Sequence, residues 1–439
     1  MSFSTAHLLH QLAQLPPTIR YWLAYSGGCD SHVLVHAMAA LQQQGLPQSV
    51  HVLHINHGLQ AQSNEWENHC QAVCEALSLP IEIIRVDATP QRGESPEEAA
   101  RRARYAAFSN ILQSDDGLLL AHHQDDQAET LMLQLLRGAG LKGLAAMPNH
   151  SPFAKGWLGR PLLDFSRASL HHYAEQQGLV WIDDPSNANT AFDRNYLRHE
   201  VMPLLRQRWP AVSATLSRVA GHLADGAELL KQLAEQDWLE HRGEGRCLKL
   251  DCIGELEPPR LRNLLRHWLT EVCGVTQANS GHLNRIMHEV IPAAEDANPL
   301  VCWSGAEVRR YRGQLYAETP GNTPFVTEGV AWDARHSLQL NGQCLVPHLV
   351  RGQGIAPEQL AQHIVSVRYR QGGERCKPVG RGHHHSLKKL FQEWGVPPWR
   401  RQQVPLIYIG DELAQVVGHC ICEPFQAHAQ QDGVVVELQ

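Results

Sequence analysis

Six residues, Ser26-Gly27-Gly28-Cys29-Asp30-Ser31, limit what this chain can fold into more than any other feature. They follow the apolar run RYWLAY (20–25) directly and open a helical pattern, SHVLVHAMAALQQQ. A strand that turns through glycines into a helix makes an anion site. Glycines let the backbone approach a phosphate with no Cβ in the way. N–H groups at a helix start face the anion, and Ser26 and Ser31 add hydroxyls. Asp30 beside phosphate calls for a cation between them, so Mg2+ is implied with Asp30 as its ligand. The Walker A form and GxGxxG are both absent.

The surrounding pattern supports a layered α/β fold. The runs at 20–25, 49–55, 81–87, 117–121 and 179–182 are strand-length and apolar nearly throughout. Strands buried on both faces of a parallel sheet read this way. Helical segments lie between them. Ser95-Pro96-Glu97-Glu98 opens one, with Ser as N-cap and Pro at the first helical position. A doubly wound parallel sheet follows for the N-terminal part. From about residue 195 the pattern turns helical, and Gly321-Asn322-Thr323-Pro324 marks a second break. The expected division is 1–215 catalytic, 216–325 mainly helical and 326–439 mixed α/β.

Composition excludes several classes. A net charge of −7 in 439 residues rules out a generally basic protein but leaves room for a local basic face. No apolar run is long enough to cross a membrane, and the N-terminus lacks a secretory pattern, so a cytoplasmic protein is expected. The 11 cysteines are odd in number and scattered, with no CxxC pair, and are expected to be reduced thiols.

Further motifs give the chain a family likeness. SGGxDS after a first strand resembles the PP-loop ATP pyrophosphatases, which adenylate a carbonyl oxygen and release pyrophosphate. His54-Ile55-Asn56-His57-Gly58-Leu59 is similar to the HxNHGLR element of tRNA(Ile)-lysidine synthetases, with Gln60 departing from its arginine. Arg101 to Tyr105 resembles their ARxxRY helix, and His122 to Thr130 their HHxxDQxET segment. Asp184-Pro185-Ser186-Asn187 and Arg194-Asn195 follow in the family's order, and the stretches 370–375, 388–391 and 397–400 resemble its last domain.

That resemblance implies ATP and Mg2+, L-lysine, and an isoleucine tRNA with a CAU anticodon. Lysine would be joined to the wobble cytidine through an adenylated intermediate. It implies that Ser26, Gly27, Gly28, Cys29 and Ser31 hold ATP while Asp30 places Mg2+. Arg104, with Arg101 three residues away on the same side of a helix, would neutralise the α-phosphate. Asp126 and Glu129 would contact a second metal, hold the lysine ammonium or take a proton from the amine. His54, Asn56, His57, His123, Asp125, Arg194 and Asn195 complete the candidate site; for Asp125 a helix-capping role competes.

Between 366 and 402 nine basic residues face two glutamates. Arg370, Arg375, Lys377, Lys388, Lys389, Arg400 and Arg401 are the tRNA candidates there, interleaved with Tyr369, Phe391, Trp394 and Trp399 for stacking. Arg194, Arg198, Arg206 and Arg208 form a second basic stretch expected to meet RNA. A homodimer is a candidate assembly. The competing readings are a thiolase-type or small-molecule PP-loop enzyme and a non-catalytic RNA-binding protein.

Overall fold

The computed structural model describes residues 2–58, 62–294, 297–320 and 329–438. Gln60 and the break at 321–324 lie outside these, as does the expected boundary at 325. The chain divides into two compact units, 1–232 and 233–439.

The first unit is a doubly wound sheet. Its elements are α1 (Thr5–Leu12), β1 (Arg20–Ala24), α2 (Cys29–Gln43), β2 (Ser49–Asn56), α3 (Ser63–Ala76), β3 (Ile81–Arg85), α4 (Pro96–Ile111), β4 (Asp116–Leu119), α5 (Gln124–Leu136), α6 (Leu141–Leu144), β5 (His150–Phe153), β6 (Gly156–Gly159) and α7 (Arg167–Gln176). The strand order is β3-β2-β1-β4-β6-β5. All neighbours are parallel except the edge pair β5–β6. Successive residues of one strand feed opposite layers, as strand periodicity requires. Tyr21, Leu23, Val50 and Val52 join one core with Val33, Leu34, Ala37 and Met38 of α2. Trp22, Leu53 and Leu118 join another with Phe108 of α4. The chain leaves β1 toward β2 on one side and returns to β4 on the other. A crevice opens at such a reversal, beyond the carboxyl ends of the strands.

Ser95 caps α4 as its sequence predicts, accepting from the Glu98 amide. The run 179–182 is no strand. It crosses the phosphate loop instead, with the Ile182 amide donating to the Gly27 carbonyl at 2.9 Å. Leu179 and Trp181 pack on the core from a loop, so apolar content alone is a misleading guide there. The sixth strand is 156–159, which is too short and too glycine-rich to read as one. After α7 the backbone is helical over Asp193–Tyr196 (α8), a wider turn at Leu197–Val201 and Met202–Arg208 (α9), followed by α10 (Val212–His241).

The second unit holds two cores. In one, helices at 258–267 and 280–285 cover a four-stranded antiparallel sheet spanning 248–318. The stretch expected to be mainly helical thus holds this sheet beside its helices, and the run at 300–303 is one that reads as a short strand in the sequence. In the other, Leu387, Leu390 and Phe391 of the helix Leu387–Glu393 pack on strands 365–368, 406–409 and 412–416. One expectation is corrected here: Cys376 and Cys422 form a disulfide, with Cα atoms 5.9 Å apart. Tertiary folding brings together residues separated by 46 positions, which spacing cannot show. Among the described residues no helix is long and apolar enough to cross a membrane.

Candidate active site

A cleft of about 460 Å³ opens at the carboxyl ends of β1, β2 and β4. Ser26, Gly28, Cys29, Asp30 and Ser31 line it after β1; His54, Asn56 and His57 line it at the end of β2. Arg101 and Arg104 of α4 and Asp126, Arg194, Asn195 and Arg198 complete its walls. The loop is held by its own hydroxyls. Ser31 Oγ donates to the Gly28 carbonyl at 2.9 Å and lies 3.1 Å from Ser26 Oγ. Gly27 does not line the cleft. Its φ of +86° strains any side chain there, and a Cβ would stand 2.6 Å from Ile182 Cδ1, which would have to move aside.

The acids of α5 are organised by capping and by arginines. His123 is the N-cap of α5; its Nδ1 accepts from the Asp126 amide, and Asp126 Oδ2 accepts from the His123 amide. Burial opposes charge on His123, but Asp126 and Asp30 raise its proton affinity. Because Nδ1 accepts an N–H, the ring's proton sits on Nε2, 3.4 Å from both Asp30 Oδ2 and Asp126 Oδ2. Burial likewise opposes the Asp126 charge, yet His123, Arg194, His122 and Arg198 bring that carboxyl down to about 2.

Glu129 lies behind the wall, 2% exposed. Arg198 Nε donates to its Oε1 at 2.7 Å; Arg194 Nε and Arg198 Nη2 donate to its Oε2 at 3.0 and 2.8 Å. Arg198 also donates to Asp126 Oδ1 at 2.9 Å. Despite burial, these acids raise the Arg198 pKa above its ordinary value.

Several assignments are therefore corrected. Arg198 is a cleft residue tied to two acids, whereas Arg206 pairs with Asp125 and keeps its side chain partly exposed. Asp125 accepts from the Arg167 amide at 2.8 Å and from Ser213 Oγ at 2.7 Å, which makes it a joint between elements. The oxygens of Glu129 are taken by arginines and do not face the cleft as a lysine-ammonium pocket. Arg167 and His171 line the cleft unforeseen. They are i,i+4 neighbours just after the Ser166 cap, a spacing that could have flagged a shared face.

In the second unit, the aromatic residues between 366 and 402 are largely packed away. Tyr369 and Phe391 are buried, Trp394 stacks on His419 at 4.9 Å, and Trp399 packs against Tyr311 and Tyr316. Packed rings of this size bury a large apolar area and stabilise the fold. Arg401 is buried and donates to the Val396 carbonyl; Arg400 pairs with Glu318, Lys377 with Glu423, and Arg370 with Glu374. Arg375, Lys388 and Lys389 are exposed.

Residues 3–205 match the PP-loop domain family, 248–316 the TilS substrate binding domain and 365–438 the TilS substrate C-terminal domain. A tRNA(Ile)-lysidine synthase of Coxiella burnetii is 46% identical over 439 residues, covering 100% of this chain and 97% of its own. That of Methylococcus capsulatus is 42% identical over 92% of this chain and 93% of its own. A U34-tRNA thiolase structure from Methanococcus maripaludis covers 50% of this chain and 78% of its own at 17% identity and TM-score 0.42, too distant to bear on the reaction. Identity sustained along the whole chain, together with a glycine loop, paired histidines and acid-tied arginines around one cleft, makes this protein a member of the tRNA(Ile)-lysidine synthase family.

Proposed function

We propose that this chain ligates free L-lysine to the wobble cytidine of an isoleucine tRNA bearing CAU. ATP adenylates the ring carbonyl oxygen and pyrophosphate leaves. The lysine ε-amine then attacks the activated carbon, and AMP departs with the electrons of the broken C–O bond. The supporting observation is the cleft, which gathers the Ser26–Ser31 loop and the guanidinium-bearing residues Arg101, Arg104, Arg194 and Arg198 over the ends of the parallel strands. Charge placed where a phosphoryl transition state develops it, together with positioning, supplies most of the catalysis in such reactions.

The loop serves the β,γ-phosphates in this reading, and the guanidinium groups serve the α-phosphate. Asp126 and Glu129 position Arg194 and Arg198. The amine's proton then needs another acceptor. His54 suits that role: burial lowers its proton affinity, and its Nδ1 lies 2.9 Å from the Tyr25 carbonyl. Nδ1 must donate to that oxygen, so Nε2 is left as the accepting nitrogen. Asp30 Oδ1 is buried with no partner among the described residues. A carboxylate oxygen left open beside the phosphate loop fits Mg2+, which when bound would neutralise phosphate charge. Residues 1–215 would carry the chemistry, and 216–325 and 326–439 would hold the tRNA. Sedimentation of the full chain would test the homodimer.

The test is incorporation of labelled lysine into transcripts. Label should enter the CAU transcript alone, in the presence of ATP and Mg2+. Asp30→Asn should abolish both incorporation and tRNA-dependent ATP–pyrophosphate exchange, with little change in the unfolding midpoint. Normal exchange by that variant would remove Asp30 from the site; label on a transcript with another anticodon would remove the substrate assignment.

A further inference from the structure

Three of the cysteines meet in the second unit. Cys420 and Cys422 are two apart along an extended stretch, so their side chains share a face. Cys376 arrives from the short strand Arg375–Cys376, which pairs with His385–Ser386. The three sulfurs lie within 4.8 Å of one another. Cys376 and Cys422 are bonded and each is 1% exposed. Cys420 keeps its thiol 3.8 Å from Cys376 Sγ and is only half-buried. Of the three, Cys420 is the residue partly open to solvent, so a small disulfide or thiol meets it before the bonded pair.

We infer that Cys420 relays oxidation and reduction between small thiols of the glutathione type and the buried Cys376–Cys422 pair. In the oxidising direction the Cys420 thiolate attacks one sulfur of glutathione disulfide. The S–S bond breaks, and one glutathione leaves with the proton Cys420 gave up. The Cys376 thiolate then attacks the Cys420 sulfur and expels the second glutathione, which takes the Cys376 proton. Last, the Cys422 thiolate attacks Cys376, and the displaced Cys420 thiolate recovers a proton from Cys422. Two protein thiols are oxidised by two electrons, and one glutathione disulfide becomes two glutathiones. Burial pushes the Cys420 thiol up to about 11, against the opposing effects of a Val416 backbone hydrogen bond and Arg381. Little of it is thiolate near neutrality, so exchange is slow.

The bond reinforces an existing contact. The Glu423 amide donates to the Lys377 carbonyl at 2.8 Å and the Val379 amide to the Ile421 carbonyl at 3.1 Å. The stretch so held runs on through 380–384 to His385–Ser386 and the helix bearing Lys388 and Lys389. Its firmness is thereby tied to thiol state, since a cross-link restricts the states the chain can open into.

The experiment starts from the full chain, reduced and freed of reductant, then exposed to glutathione disulfide. Aliquots are alkylated and their cysteine linkages mapped by mass. The Cys376–Cys422 linkage should accumulate with Cys376–Cys420 as a transient. Cys420→Ser should reach the same linkage at least about tenfold more slowly, with the melting temperature of the reduced chain unchanged. Amide exchange over 380–386 should be slower in the oxidised chain than in the reduced one; Cys376→Ser should erase that difference, and Cys422→Ser should stop at the Cys376–Cys420 linkage. Oxidation of Cys420→Ser at the wild-type rate would overturn the relay. So would glutathione left on Cys420 with no internal linkage.

Discussion

His122 and His123 are adjacent and look interchangeable in the sequence, yet the fold gives them opposite properties. His123 faces Asp30 and Asp126, and its proton affinity is raised. His122 has a buried Nδ1 with no partner among the described residues, and burial lowers its pKa to about 3, with Asp126 opposing. A histidine kept neutral in the fold but free to protonate when unfolded costs stability on acidification. The unfolded chain binds the extra proton below about pH 6.5, so stability falls from there toward pH 3. Since His122 is partly open to the cleft, only part of the full linkage is expected, about 1–2 kcal/mol between pH 6.5 and 4.5. Urea midpoints of the wild type and His122→Asn across that range test it: the variant should lose about that much of the pH dependence, and parallel curves would refute the assignment. That both histidines could belong to the site was legible from their place after a strand. Which one resists protonation was not, because it depends on Asp30, 93 positions away from His123 by number, and on Arg160 and Arg194, whose charges act on His122.

At the scale of elements, the site depends on how the helical run 193–208 docks on α5. Asp126 and Glu129 are three apart on α5, and Arg194 and Arg198 four apart on the docking run, so two helical faces present matching charges. Each spacing was legible by itself. Their pairing was not, since these bonds span 65 to 72 positions, and an arginine four residues from another reads equally well as an RNA contact. Glu129→Gln should leave two guanidinium groups short of a charge partner. Breaking a buried pair can cost about 3–5 kcal/mol; the arginines are partly exposed, so about 2–3 kcal/mol is expected in urea unfolding. Lysine incorporation should also fall at saturating ATP, because Arg194 and Arg198 lose their aim. An unchanged midpoint and rate would show that the docking does not rest on Glu129. Asp30→Asn should show the opposite pattern, with activity lost and stability kept. The misread run at 179–182 belongs to this scale too. Leu179, Trp181 and Ile182 are partly buried while Val180 is exposed, and Ile182 packs against the phosphate loop, a contact that composition cannot distinguish from a sheet neighbour.

For the whole molecule, chemistry and RNA contact are expected to separate. Lys388 and Lys389 stand exposed on a helix whose other face buries Leu387, Leu390 and Phe391. Replacing both lysines by alanine should therefore spare the fold and ATP binding. It should weaken tRNA binding and lower the slope of log affinity against log salt by up to about 2, about one for each phosphate no longer neutralised. Filter binding over a salt series measures this, and an unchanged slope would remove the helix from the RNA face. Asp30→Asn, measured alongside, should bind tRNA as the wild type does.

The sequence by itself determined the local decisions. A glycine turn between an apolar strand and a helix, a capped α4, and acids and arginines at helical spacing all follow from steric and hydrogen-bonding rules acting over a few residues. Family membership was legible for the same reason, through short motifs in a fixed order. Only the tertiary structure decided which charges are spent within the fold and which face a ligand. Arg198, Arg206, Arg400 and Arg401 look alike in the sequence, but Arg198 is tied to Glu129 and Arg401 is buried on the Val396 carbonyl, while Arg206 and Arg400 pair with Asp125 and Glu318 and stay partly exposed. The meeting of Cys376, Cys420 and Cys422 has the same origin. Long-range proximity is set by how whole sheets and helices pack, and no local rule of spacing carries it.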